Sequence, residues 1–451
     1  MKRYIQISVI FSVVAILGSG CSSSTSGELT GVLGRGKYFE PDPHGMVFVP
    51  FGTYTAGPSE QEMTWAQNAM NVTISVNAFW MDQTEITNNQ YRQFVHWTRD
   101  SIMRRTLANS GLDDFLLQGE QYEELPDDKR PLNWRTRIDT RRNEDHKEAL
   151  EVMYLPIQER FYGRKEIDTR KLMYEYQIVD LRQAAAPRNR FDYEAQQYNG
   201  WAFDRLGERQ DVVDRSAFIQ TDKIQVYPDT LVWISDFTYW YNEPMATQYF
   251  WHVGYDNYPV VGVNWKQAVA FCVWRTELLN RALASQGDPF VHNYRLPTEY
   301  EWEWAARGGL SSQKYPWGGP YTRNNQGCFL ANFKPLRGNY TDDGNALTAR
   351  VASYTPNELG LYDMAGNVAE WTISAYDESS WRFVHDFNPD YQYNARPDEP
   401  PVMKRKVIRG GSWKDVEYFL QVSTRAYEYQ DTATSFIGFR AVRSYIGSSA
   451  R

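Results

Sequence analysis

The C-terminal third of the chain is punctuated by glycine. Gly308-Gly309, Gly318-Gly319, Gly327, Gly338, Gly344, Gly360, Gly366, Gly410-Gly411 and Gly438 recur at intervals too short for long helices or ladders. Glycine weakens helix and strand interiors and favours turns. Most of this region must therefore be loop, and loops of this kind need side-chain or metal partners to become rigid. Upstream the pattern is periodic. Residues 265–283 read as a helix with Val269, Phe271, Cys272 and Leu278 among its apolar positions. Thr298 and Glu301 form a capping box opening another helix that Gly308-Gly309 ends, and Thr87 with Gln90 opens a third. Residues 46–50 and 71–76 read as strands. After these elements glycine-rich turns dominate, and regular secondary structure is expected to be sparse.

The N-terminus points to export. Met1-Lys2-Arg3 precedes an uncharged, largely apolar run over residues 5–17, long enough for a signal-peptide core and too short for a permanent span. Leu17-Gly18-Ser19-Gly20-Cys21 resembles a bacterial lipobox, although the apolar residue lies four positions before the cysteine instead of three. The expectation is a signal peptide over 1–20 and lipid on Cys21, with an ordinary cleaved signal as the alternative. Ser22-Ser23-Ser24-Thr25-Ser26-Gly27 then reads as a tether within residues 21–45. The mature protein is expected to be lipid-anchored to a membrane, and the absence of an acidic cluster in the tether points that anchor toward the periplasm.

A net charge of −8 argues against a general nucleic-acid surface. With 16 Trp and 31 Tyr, the chain needs partners for many indole NH and phenol OH groups. A loop-rich core with polar anchors accounts for them; a sugar-binding surface is the alternative. Three cysteines, at 21, 272 and 328, give no disulfide framework. The six histidines lack the spacing of a helical zinc site, and no phosphate loop or nucleophile elbow is present. Glu299 and Glu303 lie one helical turn apart and read as helix-start and packing residues rather than a catalytic acid pair. Residues 102–255 carry mixed charge runs, including Arg135-Thr136-Arg137 and Arg141-Arg142, whose default explanation is a solvated face and whose alternative is a docking surface.

Several motifs in order carry a family resemblance. Phe79-Trp80-Met81-Asp82-Gln83-Thr84-Glu85-Ile86-Thr87-Asn88, Pro259-Val260-Val261-Gly262-Val263-Asn264-Trp265 and Arg295-Leu296-Pro297-Thr298-Glu299 are followed by Gly360-Leu361-Tyr362-Asp363-Met364-Ala365-Gly366-Asn367-Val368-Ala369-Glu370-Trp371, Arg409-Gly410-Gly411-Ser412-Trp413 and Ile437-Gly438-Phe439-Arg440. Together they resemble the formylglycine-generating-enzyme (sulfatase-modifying factor) domain. The resemblance implies a C-type-lectin-like α+β fold over residues 46–101 and 256–444, with 102–255 as an insertion. It implies an active site in which two thiolates hold copper. Asp415 and Leu420 stand at those two positions, so no copper and no enzyme activity are expected. A family cysteine that pairs with Cys272 in some members is Ala441 here, leaving Cys272 a buried free thiol. The resemblance also implies structural calcium. One ion would be held by the side chains of Asp363 and Glu370 with the carbonyls of Gly366 and Val368. The other would be held by the side chains of Asn332 and Asp343 with the carbonyls of Phe333 and Asn345.

The lipid anchor, the tether, the insertion and Pro43-His44-Gly45-Met46-Val47-Phe48-Val49-Pro50 resemble the GldK/PorK lipoproteins of gliding motility and type IX secretion. That resemblance implies a non-catalytic ring scaffold that self-associates and binds a soluble periplasmic partner of the GldN/PorN type. An enzyme of altered chemistry and a glycan- or peptidoglycan-binding lipoprotein remain alternatives. The aromatic clusters of the insertion, such as residues 239–241 and Tyr249-Phe250-Trp251-His252, are expected to supply partner contacts, or else to pack the insertion onto the body.

Overall fold

Capping chemistry sets the helices. In the computed structural model, which describes residues 40–58, 70–126, 129–240, 242–310, 312–335 and 337–447, both anticipated capping boxes are formed, and a third, not anticipated, opens the helix at Trp265. Helix α1 (Asn88–Asn109) is capped by Thr87 with Gln90. Helix α2 (Trp265–Gln286) is capped by Asn264 with Gln267, and α3 (Glu299–Arg307) by Thr298 with Glu301. Gly308, in the left-handed region, stops α3. The leader, Cys21 and the serine tether lie outside the described residues. No helix among the described residues is long and apolar enough to cross a membrane.

Two four-stranded sheets complete the frame. In the first, β1 (Met46–Val49) pairs antiparallel with β4 (Phe79–Asp82), with Met46 opposite Asp82. The C-terminal strand at Val442–Ser444 returns to the other edge of β4, and Tyr294–Arg295 pairs with that strand. Strands β2 (Gly52–Ala56) and β3 (Val72–Val76) form a separate antiparallel pair. Gly52 lies where any Cβ would fall 2.2 Å from the Trp304 ring, so this pair packs directly on α3. The second sheet is centred on Ala369–Ala375 and Arg405–Arg409, antiparallel with Glu370 opposite Arg409. Ile437–Gly438 adds in parallel beside Ala369 and Glu370. The expected scarcity of regular structure holds: among the described residues no helix or strand lies between Arg307 and Ala369.

Residues 42–446 form one compact unit. Residues 102–255 take part in its core instead of standing outside it. Helix α1 runs through the expected boundary at 101 because Met103, Leu107 and Ala108 are buried along it. Phe115, Leu150, Leu172, Tyr174 and Phe250 share one apolar cluster with Tyr91, Phe94, Phe271 and Trp371 of the body. An antiparallel ribbon within this segment pairs Met173–Val179 with Ile219–Gln225, and Tyr174 donates to Glu277 of α2. The aromatic expectation divides accordingly. Tyr249 and Phe250 are core residues and unavailable to a partner, because each fills apolar volume against the body. Tyr239 is 91% exposed, and Trp251 is partly exposed. Tyr241 lies outside the described residues.

Candidate functional site

The motif residues converge on a buried charge cluster. Glu370 sits on the central strand of the second sheet, and Arg440 lies two residues beyond Gly438 on its parallel neighbour. That pairing places the two side chains side by side. Arg440 is fully buried; its Nε donates to both Glu370 oxygens at 2.8 Å, and its Nη2 to Oε1 at 2.6 Å. Its remaining donors reach the carbonyls of Asp82 and Tyr362. Trp302 of α3 donates its indole NH to Glu370 Oε2 at 2.8 Å. Two further acids adjoin this pair. Glu85, 0% exposed, accepts from Asn367 at 3.0 Å through one oxygen, while its other oxygen has no partner. Asp363 accepts from the Ala352 NH at 2.7 Å.

The cluster sets three buried carboxyls, Glu85, Asp363 and Glu370, against one guanidinium. Burial, then the nearby Asp363, pushes the Glu85 carboxyl well above its usual range. Burial raises Asp363 to about 6. Burial opposes the charge on Arg440, but Glu370 holds it above its ordinary value. Glu85 was visible in the sequence only as one letter of a motif. The signal was available in hindsight: an acid in an otherwise apolar stretch between a strand and a cap must be buried or must cover something.

The residues assigned to calcium fall into two adjoining loops. Asp343 accepts from the Phe333 NH at 2.8 Å and the Asn345 NH at 3.2 Å, which caps its own loop. Asn332 donates to Leu347 O and to Asn367, while its own side-chain oxygen is buried without a partner. Gly366 has φ +82°, and a Cβ there would lie 2.4 Å from Asn332 O, so this position ties the two loops together. Val368 and Phe333 are buried. Among the described residues no group of three or more His, Cys, Asp or Glu side chains forms a metal cage. What suits a hard cation here is limited to the buried Asp363 carboxyl and the orphaned Asn332 side-chain oxygen beside the tight Gly366 turn. Glu370 is excluded, since both its oxygens are held by Arg440 and Trp302.

A second charge network braces α3. Glu303 accepts from Arg307 at 2.6 Å and from Arg409 at 3.1 Å, and Glu299 accepts from Arg425 at 2.6 Å. Both acids are buried, with Arg307 and Arg409 buried beside them and Arg425 half-buried, as packing residues should be.

Asp415 and Leu420 lie apart in character. Asp415 lines a cavity of about 180 Å³ with Gly410, Gly411, Phe419 and Tyr427. Its Oδ2 accepts from Ser412 at 2.6 Å, and burial raises its carboxyl. Leu420 is 0% exposed and packs with Tyr315, Phe333 and Ala365. No sulfur lines the cavity. Cys272 is a buried free thiol pushed up to about 12 by burial, and Cys328 is exposed. These donors do not fit a copper held by two thiolates.

The family profile described as "Sulfatase-modifying factor enzyme 1-like domain" matches residues 37–156 and 214–445. The chain belongs to this family. The match breaks only between 156 and 214, so it continues into both ends of the 102–255 segment. Among curated relatives, "Inactive C-alpha-formylglycine-generating enzyme 2" of Mus musculus is 34% identical over 192 residues, covering 41% of this chain and 49% of that protein. "Formylglycine-generating enzyme" of Mus musculus is 33% identical over 196 residues, covering 42% and 45%. The chain thus spans about half the length of the curated relatives it matches, and their names include both an active and an inactive protein. A solved structure, "Structure of PvdO from Pseudomonas aeruginosa", aligns over 89% of this chain and 94% of that one at 15% identity and TM-score 0.43.

Proposed function

We propose that the protein is a non-catalytic member of the sulfatase-modifying family. In this reading it is an outer-membrane lipoprotein anchored through Cys21, faces the periplasm, and builds the ring of a type IX secretion and gliding machine of the GldK/PorK type. It self-associates there and binds a soluble partner of the GldN/PorN type. The observation that carries the non-catalytic half is the filling of the thiol positions. Leu420 is a core residue, and Asp415 is hydrogen-bonded to Ser412, so neither can supply a thiolate. The scaffold half rests on the leader, the tether, the insertion and the resemblance of residues 43–50. Structural calcium belongs to the same reading. Asp363 with the Gly366 and Val368 carbonyls, and Asn332 and Asp343 with the Phe333 and Asn345 carbonyls, would hold ions that bind only the folded state and thereby stabilise it.

The test isolates the native particle from outer membranes and images it. Ring-shaped assemblies containing a soluble partner, lost when Cys21→Ala releases the protein from the membrane, are expected. A monomer that converts a sulfatase peptide to formylglycine with added copper would replace the scaffold with an enzyme. Retention on purified peptidoglycan without any ring would favour a glycan binder.

A further inference from the structure

The arginines that alternate with acids along residues 99–142 are sorted by folding. Arg99, Arg104, Arg135 and Arg137 line one open cleft of about 540 Å³, and Asp100 is the one acid in its wall. Two of the four are already engaged. Arg99 donates to Asp100 at 2.8 Å, and Arg104 donates to the carbonyls of Asn133 and Thr136. Arg135 and Arg137 are exposed, and among the described residues neither makes an ion pair or a side-chain hydrogen bond. The loop beneath them is nonetheless held. The Arg135 NH donates to Asn133 Oδ1 at 3.0 Å, and Thr136 donates to Asp114 O at 2.9 Å. Trp134 lines the same cleft and is 38% exposed. One neighbour is Trp97, stacked at 5.5 Å; another is the Arg104 guanidinium, 4.7 Å from the ring centroid.

We propose that this cleft is a docking site for an acidic segment of a partner polypeptide. Planar guanidinium forks match carboxylates in paired hydrogen bonds. A fixed indole beside them supplies the apolar anchor that interfaces use, and Trp and Arg are the residue types that dominate binding energy. Because the loop is ordered before binding, little entropy is lost on docking. A chain of net charge −8 repels a long polyanion over the rest of its surface, whereas a short acidic segment meets only the cleft. The proposal is independent of the ring reading, since it requires a peptide and no assembly.

The experiment uses the full mature chain and a fluorescent peptide of alternating Asp and Glu with one central Leu, read by anisotropy. The same peptide with Asn and Gln in place of the acids is the control. Expected results are saturable binding of the acidic peptide, weakening with salt, and loss of roughly tenfold or more in affinity for the control peptide. The double variant Arg135→Glu, Arg137→Glu should lose affinity by a similar factor while melting as the parent does. Arg135→Gln, Arg137→Gln serves if the reversal disturbs folding. Equal binding by parent and double variant, or no binding at low salt, overturns the proposal. Displacement of the peptide by polyphosphate or by anionic phospholipid vesicles at lower concentration than by unlabelled acidic peptide would reassign the cleft to phosphate and overturn the peptide reading.

Discussion

Arg440→Met isolates the central claim that buried charge, not packing alone, organises the motif loops. The substitution keeps an unbranched apolar stem and removes a guanidinium that is fully buried. It leaves Glu370 without its partner in a place that also holds Glu85 and Asp363. Removing one partner of a buried pair costs about 3–5 kcal/mol, because the other charge stays desolvated and unpaired. The carbonyls of Asp82 and Tyr362 also lose a donor, at roughly 1 kcal/mol each. The sum is about 5–7 kcal/mol, a large part of the roughly 5–15 kcal/mol that holds a domain together. Glu370→Gln on the same background removes the orphaned charge while keeping an acceptor for Trp302, so the double variant should recover most of the pair term. The assay is urea unfolding followed by tryptophan fluorescence at fixed calcium, for parent, both single variants and the double. A loss below about 1 kcal/mol for Arg440→Met would refute the reasoning, since surface pairs behave that way. So would single-variant losses that simply add, because residues in direct contact should couple.

Gly366→Ala should cost several kcal/mol in the same assay, because its Cβ would meet Asn332 O at 2.4 Å; Gly309→Ala, with a similar φ and open space, should cost only about 1–2 kcal/mol. Equal costs would mean that the left-handed backbone alone matters. Burial, then Lys266, pushes the Lys406 ammonium down to about 7, so the unfolded chain binds the extra proton between there and the ordinary 10.5. Stability should therefore rise with pH through that window, by up to about 1.4 kcal/mol per pH unit, and Lys406→Met should remove this slope; parallel pH profiles would exclude it. In a chain beginning after Cys21, a thiol reagent should titrate the exposed Cys328 at once and the buried Cys272 only in denaturant. Chelation should lower the melting temperature, and Asp363→Ala with Asp343→Ala should blunt that response; an unchanged response would place the ion elsewhere.

Local chemistry made parts of this protein legible in its sequence. A capping box needs only residues three apart, so Thr87 with Gln90 and Thr298 with Glu301 could be read directly and are formed. The glycine spacing after Gly308 likewise excluded long elements before Ala369, because backbone preference is a property of single residues. The ordered motifs revealed the family for a related reason: each is a short string whose geometry is local. Burial and charge pairing were decided elsewhere. Glu85 and Glu370 are 285 positions apart by number, and only the return of the last strands beside the second sheet brings Arg440 to Glu370 and the acids together. Tyr249 and Phe250 suit either a partner surface or packing onto the body by composition alone, and the contacts of the 102–255 segment with the body's core decide for packing. The mixed charges of residues 99–142 became an arginine cleft only when the loop folded back against α1. Composition counts charges and aromatics, but which side of the chain faces water depends on contacts between residues far apart, and those exist only in the folded molecule.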